Sequence, residues 1–291
     1  MTSTDPAGAT TADGTRPRWD GSLYADNTAH HRRFDDAVLD GIDVPGTARV
    51  LDLGCGVGDF TLRLADIVPD GAVLGVDAAP DMVRVAGSRS DRANVDFLTA
   101  AAQQLATIVP ETSFDAVVSV ATLHWVPEAD HPVVLDQIRR VLRPGGLFRA
   151  EFGGAGQISA ARALLDEEAS AVGGTPVPWF FPDADTYRAL IEASGLSTSA
   201  GWVRLVHQRR SLPDADALLG WLRSQVLVGY DAVVPDAAAQ QFRRQAESRA
   251  VSELRRVDGS FDQDYVRLDL RAHRAAEPAG RPAATADIAA V

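Results

Sequence analysis

The stretch Val50-Leu51-Asp52-Leu53-Gly54-Cys55-Gly56-Val57-Gly58-Asp59-Phe60 constrains this chain more than any other. An apolar run ends at Leu53, glycines follow at positions 54, 56 and 58, and a helical pattern starts at once. Glycines in such a turn admit positive φ and let a ligand approach the backbone closely. Asp77 ends a second apolar run, in Gly-Val-Asp, and a strand-end carboxylate accepts hydrogen bonds from a ribose. The dinucleotide fingerprint G-x-G-x-x-G needs glycine at position 59, where this chain has Asp59. An Asp at that helix start repels a pyrophosphate.

Alternating patterns surround this turn. Arg49–Leu53, Ala72–Val76, Val95–Leu98, Phe114–Val120 and Leu147–Phe152 read as buried strands bounded by Gly, Pro or Asp. Helical spacing lies between them at Gly58–Val68, Pro80–Arg89 and His131–Leu142, the last stopped by Arg143-Pro144-Gly145-Gly146. Such alternation implies a parallel sheet covered on both faces, with ligands beyond the carboxyl ends of its strands. That places Gly54, Asp77, Ala101–Gln103, Ser119–Trp125 and Glu151 around one crevice. The second half reads as helices at Ser159–Val172, Asp183–Ser194, Asp214–Val228 and Pro235–Val257, and strands at Gly201–Arg210 and Asp264–His273. The two late helices are expected to form a cap inserted between the last two strands, over the crevice.

Composition narrows the function. All 28 basic residues are Arg and the net charge is -12, which excludes lysine Schiff-base and P-loop chemistry and argues against nucleic acid as a partner. No apolar run is long enough to span a bilayer. Residues 1–18 read as a disordered arm without the features of a signal peptide, and 274–291 as a disordered tail. A lone cysteine, Cys55, cannot form an internal disulfide, which fits a reducing cytoplasm. Its place between turn glycines explains its small size without a nucleophilic role. The six histidines show no metal-ligand spacing, and no metal is expected.

The compressed D-x-G-x-G-x-G spacing suits S-adenosylmethionine (SAM), which has no pyrophosphate to place. With Gly-Val-Asp, Leu-His-Trp at 123–125 and Leu-Arg-Pro-Gly-Gly at 142–146 in order, the chain resembles the class I SAM-dependent methyltransferases. It is most similar to the trans-aconitate methyltransferase group of small-molecule enzymes, from Trp19-Asp20-Gly21-Ser22-Leu23-Tyr24 to about residue 273. The resemblance implies a Rossmann-like α/β fold of seven strands with an N-terminal lid helix and inserted helical cap elements, at about 155–182 and 212–258. It also implies methyl transfer from SAM to a small molecule, leaving S-adenosylhomocysteine. Gly54, Gly56 and Gly58 would shape the turn against the methionine part, with Asp52 near its amino group. Asp77 would bind both ribose hydroxyls beside Ala78, and Met82 would pack on the adenine. Ala101 stands where many relatives carry Asp, so Gln103 or the Ala102 backbone would take the adenine amine. Ser119 or Val120 would offer backbone beside the sulfonium.

Methyl transfer is an in-line displacement in which alignment supplies much of the rate, and a base is needed only if the acceptor loses a proton. His124, after the fourth strand, is the candidate base, or else a structural histidine bonded to the cap. Tyr24 orients the acceptor or closes over SAM, or else is a lid aromatic that merely excludes water. Glu151 orients His124, binds a substrate donor, or pairs with a nearby Arg. Trp125, Trp179, Phe180 and Phe181 suggest a flat acceptor, against the alternative of cap-on-core packing. Arg32 or Arg33 is a candidate for a substrate carboxylate, or else surface. The preferred acceptor is an aromatic or indole-type carbon in natural-product tailoring. A carboxylate or hydroxyl acceptor, or a protein of this fold that binds SAM without methylating, are the alternatives. An aminopropyl transferase and a nicotinamide oxidoreductase fit less well.

Overall fold

The computed structural model describes residues 19–26 and 32–276. The expected arm at 1–18, His30 and His31, the side chains of Arg32 and Arg33, and the tail from 277 onward lie outside the described residues. The chain divides into two units, one of 28–157, 179–208 and the segment from 265, the other of the first 27 residues, 158–178 and 209–264.

In the first unit, β1 (Arg49–Leu53), β2 (Ala72–Asp77), β3 (Val95–Thr99), β4 (Phe114–Val120) and β5 (Leu142–Gly153) run parallel. They are joined through α3 (Asp59–Ile67), α4 (Pro80–Arg89), a short α5 (Leu105–Ile108) and α6 (His131–Val141), after α1 (Gly21–Asp26) in the second unit and α2 (Arg32–Leu39). With β6 (Leu196–Leu212) and β7 (Phe261–Arg274) the sheet has seven strands in the order β3-β2-β1-β4-β5-β7-β6, and β7 runs antiparallel to β5.

Alternate side chains on the central strands enter different cores, as a pleat buried on both faces demands. Leu51, Leu53, Val117, Phe148, Ala150 and Phe152 join Leu135 and Ile138 of α6 on one side. Val50, Val73, Ala116, Val118 and Leu147 join Phe60 and Leu64 of α3 on the other. Each such leucine or phenylalanine contributes roughly 1.5–3 kcal/mol by leaving water.

Two expectations needed revision. Arg143-Pro144-Gly145-Gly146 is not a turn before the fifth strand: β5 begins at Leu142, which pairs with Phe114, and the ladder resumes at Ala116 and Leu147 after a bulge. Gly145, at φ 79°, supplies the left-handed residue of that excursion. The helix expected over Asp214–Val228 is three pieces: α9 (Ala215–Trp221), a π-helical turn at Leu222–Val226 and α10 (Leu227–Tyr230). The Ser224 hydroxyl donates to the Gly220 carbonyl at 2.7 Å there, the back-bond that disturbs a regular helix.

Those segments belong to the second unit, with α7 (Ser159–Ala171) and α11 (Ala239–Glu253). Tyr230 donates to Asp166 at 2.6 Å, and Arg249 of α11 donates to Glu168 of α7 at 2.7 Å. In the first unit, α8 (Ala184–Ala193) is capped by Asp183, which accepts from the Thr186 N–H at 2.8 Å.

Candidate active site

Contacts join the carboxyl ends of five strands. After β1, Gly54, Gly56 and Gly58 have φ of 78°, 53° and 86°, all in the left-handed region that favours glycine. The Gly54 and Cys55 N–H groups donate to the Val76 carbonyl of β2. Asp77, ending β2, accepts from the Gly56 N–H at 3.0 Å and the Ala79 N–H at 2.8 Å, one bond to each carboxylate oxygen. The Ala100 N–H, just after β3, donates to the Asp77 carbonyl at 2.9 Å. Burial raises the Asp77 pKa above the usual Asp value, against the opposing pull of the Ala79, Gly56 and Ala78 backbone.

At the end of β4 the backbone turns through Ala121, left-handed at φ 54°, a conformation costly for a residue with a Cβ. This bend brings Thr122 onto the glycine turn, where its hydroxyl lies 3.2 Å from the Gly54 carbonyl and 3.0 Å from that of Val120. A Cβ on Gly54 would sit 2.0 Å from that hydroxyl, so the glycine is required by packing as well as by φ. His124 follows in a short 3-10 turn, Leu123–Trp125. Its Nδ1 accepts from the Gly153 N–H of β5 at 3.4 Å. A backbone N–H only donates, so this bond leaves the proton of the neutral ring on Nε2.

Aromatic rings surround His124. Its centroid lies 5.5 Å from Trp125 and 5.6 Å from Phe181, and Trp179 meets Trp125 edge-on at 5.5 Å and stacks with Phe181 at 5.8 Å. Phe180 turns away, onto His131 at 4.6 Å. Burial holds the His124 pKa well below the ordinary histidine value, and the charges of Arg267 and then His131 push the same way.

A family model described as a methyltransferase domain matches residues 50–146. An uncharacterized methyltransferase of Schizosaccharomyces pombe is 31% identical over 61% of this chain and 70% of its own length. A trans-aconitate 2-methyltransferase of a Mycobacterium species (strain KMS) is 31% identical over 77% of this chain and 87% of its own. The chain belongs to the class I SAM-dependent methyltransferases. The YcgJ protein of Bacillus subtilis shares the fold, with a TM-score of 0.58 at 17% identity over 84% of this chain and 99% of that one.

The methyltransferase therefore uses SAM, and the residues present fit it. Each Asp77 oxygen holds one backbone N–H and keeps acceptor capacity for a ribose hydroxyl. No helix among the described residues is long and apolar enough to cross a membrane, and no cluster suited to a metal occurs among them. Met82 is buried on α4 and Ala102 opens a 3-10 turn next to Ala101. Gln103 gives its amide nitrogen to Asp130 at 2.9 Å, which orients the carboxamide. Asp59 at the start of α3 is not a bare charge: Arg89 donates to it at 2.6 Å, so its repulsion of anions is weaker than the sequence implied.

Other candidates point inward. Asp52 is buried and accepts from the Thr61 hydroxyl at 2.6 Å. The buried Ser119 hydroxyl donates to the Leu53 carbonyl at 2.8 Å, tying β4 to β1, while Val120 ends β4 opposite Glu151. Burial, then the charges of Asp52 and Asp77, push the Cys55 thiol far above the usual range, so it is no nucleophile at neutral pH. Of the roles expected for Glu151, the structure shows the pairing with a nearby Arg. Both its oxygens are held by Arg267, at 2.7 and 2.9 Å. Tyr24 belongs to the second unit, edge-on to Trp19 at 5.6 Å. Ala121 and Thr122 were placed at the crevice only as part of the Ser119–Trp125 segment, and Gly153 and Arg267 were not singled out from sequence.

Proposed function

We propose that this methyltransferase transfers the SAM methyl group to an aromatic or indole-type carbon of a small molecule, as a cytoplasmic tailoring enzyme of natural-product metabolism. The observation that carries this reading is the aromatic wall of His124, Trp125, Trp179 and Phe181, joined by Thr122 to the glycine turn. Flat rings stack on such a wall, and aromatic faces also stabilise a cation beside them.

Within it, Asp77 takes the ribose hydroxyls, and Met82, Ala78, Ala101 and Ala102 surround the adenine. The Gln103 amide oxygen, aimed by the bond to Asp130, accepts from the adenine amine. Gly54, Gly56, Gly58 and Asp52 shape the methionine end, and the Ser119–Val120 backbone lies beside the sulfonium. SAM supplies an electrophilic methyl, so the protein's task is to align an acceptor behind it and exclude water. His124, with Nδ1 engaged by Gly153, presents Nε2–H and acts as a donor that orients the acceptor rather than as its base. Glu151 acts through Arg267 and not on substrate.

A second reading, O-methylation of a carboxylate, is favoured by the relatives described as trans-aconitate 2-methyltransferases. The test is incubation with SAM carrying a trideuteriomethyl group and matched panels of indoles, phenols and carboxylic acids, trans-aconitate included, read by mass spectrometry. Label on a ring carbon supports the proposal. Label on a carboxylate alone replaces it with the second reading. No labelled product from any panel, with SAM bound, rejects both.

A further inference from the structure

Glu151 and Arg267 are 6% and 3% exposed, and they meet through two bonds of 2.7 and 2.9 Å. Burying such a pair carries a desolvation penalty that an apolar pair would avoid, so it is a poor stabilising device. Its location is specific. The antiparallel register sets Arg267 directly opposite Gly153, and Gly153 is the residue whose N–H holds His124 Nδ1. The Glu151 carbonyl, two residues earlier, receives the Ala121 N–H at 2.7 Å and so anchors the turn that leads to His124. Gly153 itself admits no side chain, because a Cβ there would lie 2.5 Å from the Phe181 ring.

We propose that Arg267 is a positioning residue for His124: clamped to Glu151, it fixes the end of β5 and sets a buried positive charge opposite Gly153, the residue whose N–H holds Nδ1 and leaves the ring proton on Nε2. This rests on the reading of His124 as the group that faces the acceptor. The charged and titratable groups set around His124 among the described residues are Arg267 from β7, Glu151 from β5, bound to that arginine, and His131 from α6. The rings of Trp125 and Phe181 carry no charge.

A charge role and a scaffolding role predict different signs. Arg267→Gln removes the positive charge and uncovers the Glu151 carboxylate, so both changes favour the imidazolium. Glu151→Gln leaves the arginine uncompensated and disfavours it further. If the pair only shaped the fold, either variant would loosen the pocket and move His124 upward toward its ordinary range.

The experiment is an NMR titration of histidine-labelled full-length protein, with the His124 signal assigned by its loss in His124→Gln. The expected result is a midpoint raised by about one pH unit or more in Arg267→Gln, no rise in Glu151→Gln, and wild-type behaviour in Arg267→Lys. A rise in Glu151→Gln, or an unmoved midpoint in Arg267→Gln, overturns the proposal. Should Arg267→Gln fail to fold, Glu151→Gln decides: a lowered His124 midpoint upholds the proposal, and an unmoved or raised one overturns it. The titration needs no acceptor, so a failed acceptor assignment leaves it readable, and a failed titration leaves the labelling result intact.

Discussion

Asp77 accepts the Gly56 backbone N–H at 3.0 Å, which ties the end of β2 to the middle of the glycine turn. Its carboxyl pKa is raised by burial. An acid with a raised pKa keeps its proton to higher pH, so the ionised partner of a ribose is lost early on acidification. SAM affinity, measured by calorimetry, is expected to fall at a pH above the ordinary Asp range. Asp77→Asn is expected to bind roughly tenfold or more weakly and to lose this pH dependence. An Asn variant that matches the wild-type affinity would remove Asp77 from the SAM site.

Gly54→Ala forces a Cβ to 2.0 Å from the Thr122 hydroxyl at a φ of 78°. The expected cost is on the order of 1–3 kcal/mol, with weakened SAM binding. Adding Thr122→Ala removes the nearest clash and should recover part of the loss. Thermal melts of the two single variants and the double variant measure the coupling, and strictly additive effects would contradict the contact.

His124→Ala and His124→Gln separate a donor from a base. A glutamine amide reaches about as far as Nε2 and donates, but it cannot take a proton near neutral pH. Single-turnover transfer is expected to drop roughly tenfold in the alanine variant and to recover largely in the glutamine one. Equal, severe loss in both would restore the general-base role.

His131 is fully buried, with Nδ1 3.1 Å from the Tyr187 hydroxyl and Nε2 3.3 Å from the Val126 carbonyl. Burial pushes its pKa down from 6.5 to about 4. The folded state thus holds the ring neutral where the unfolded chain takes a proton. Its contribution to stability is complete above pH 6.5 and is lost as pH falls towards 4, by about 3 kcal/mol across the window. His124 acts in the same direction. Urea unfolding at several pH values should show this slope, reduced in His131→Gln; an unchanged slope would acquit His131.

The bounds of β1 and β4 were readable because Val50-Leu51 and Val117-Val118 are buried on both faces, and continuous apolar runs between turn residues signal that state. The edge strand β6 runs over Leu196–Leu212, well beyond the expected Gly201–Arg210, because a strand with one paired side tolerates Ser197, Thr198 and Ser199. In the candidate site, the glycines and Asp77 follow local spacing and were legible. The partner of Glu151 was not, since Arg267 lies 116 residues away and meets it only through strand register. The left-handed Ala121 leaves no mark either, because its conformation is imposed from outside: its N–H is held by the Glu151 carbonyl.

The late return of β7 to the sheet has a consequence for dissecting the protein. The chain passes between its two units at 27–28, 157–158, 178–179, 208–209 and 264–265. A fragment ending after β5 would keep the glycine turn, Asp77 and His124, and would resemble a complete cofactor-binding half. It would also carry Glu151 without Arg267, an acid stripped of its counter-ion at the margin of the sheet. The smallest working piece of this enzyme is therefore not its first half but a span that reaches the final strand.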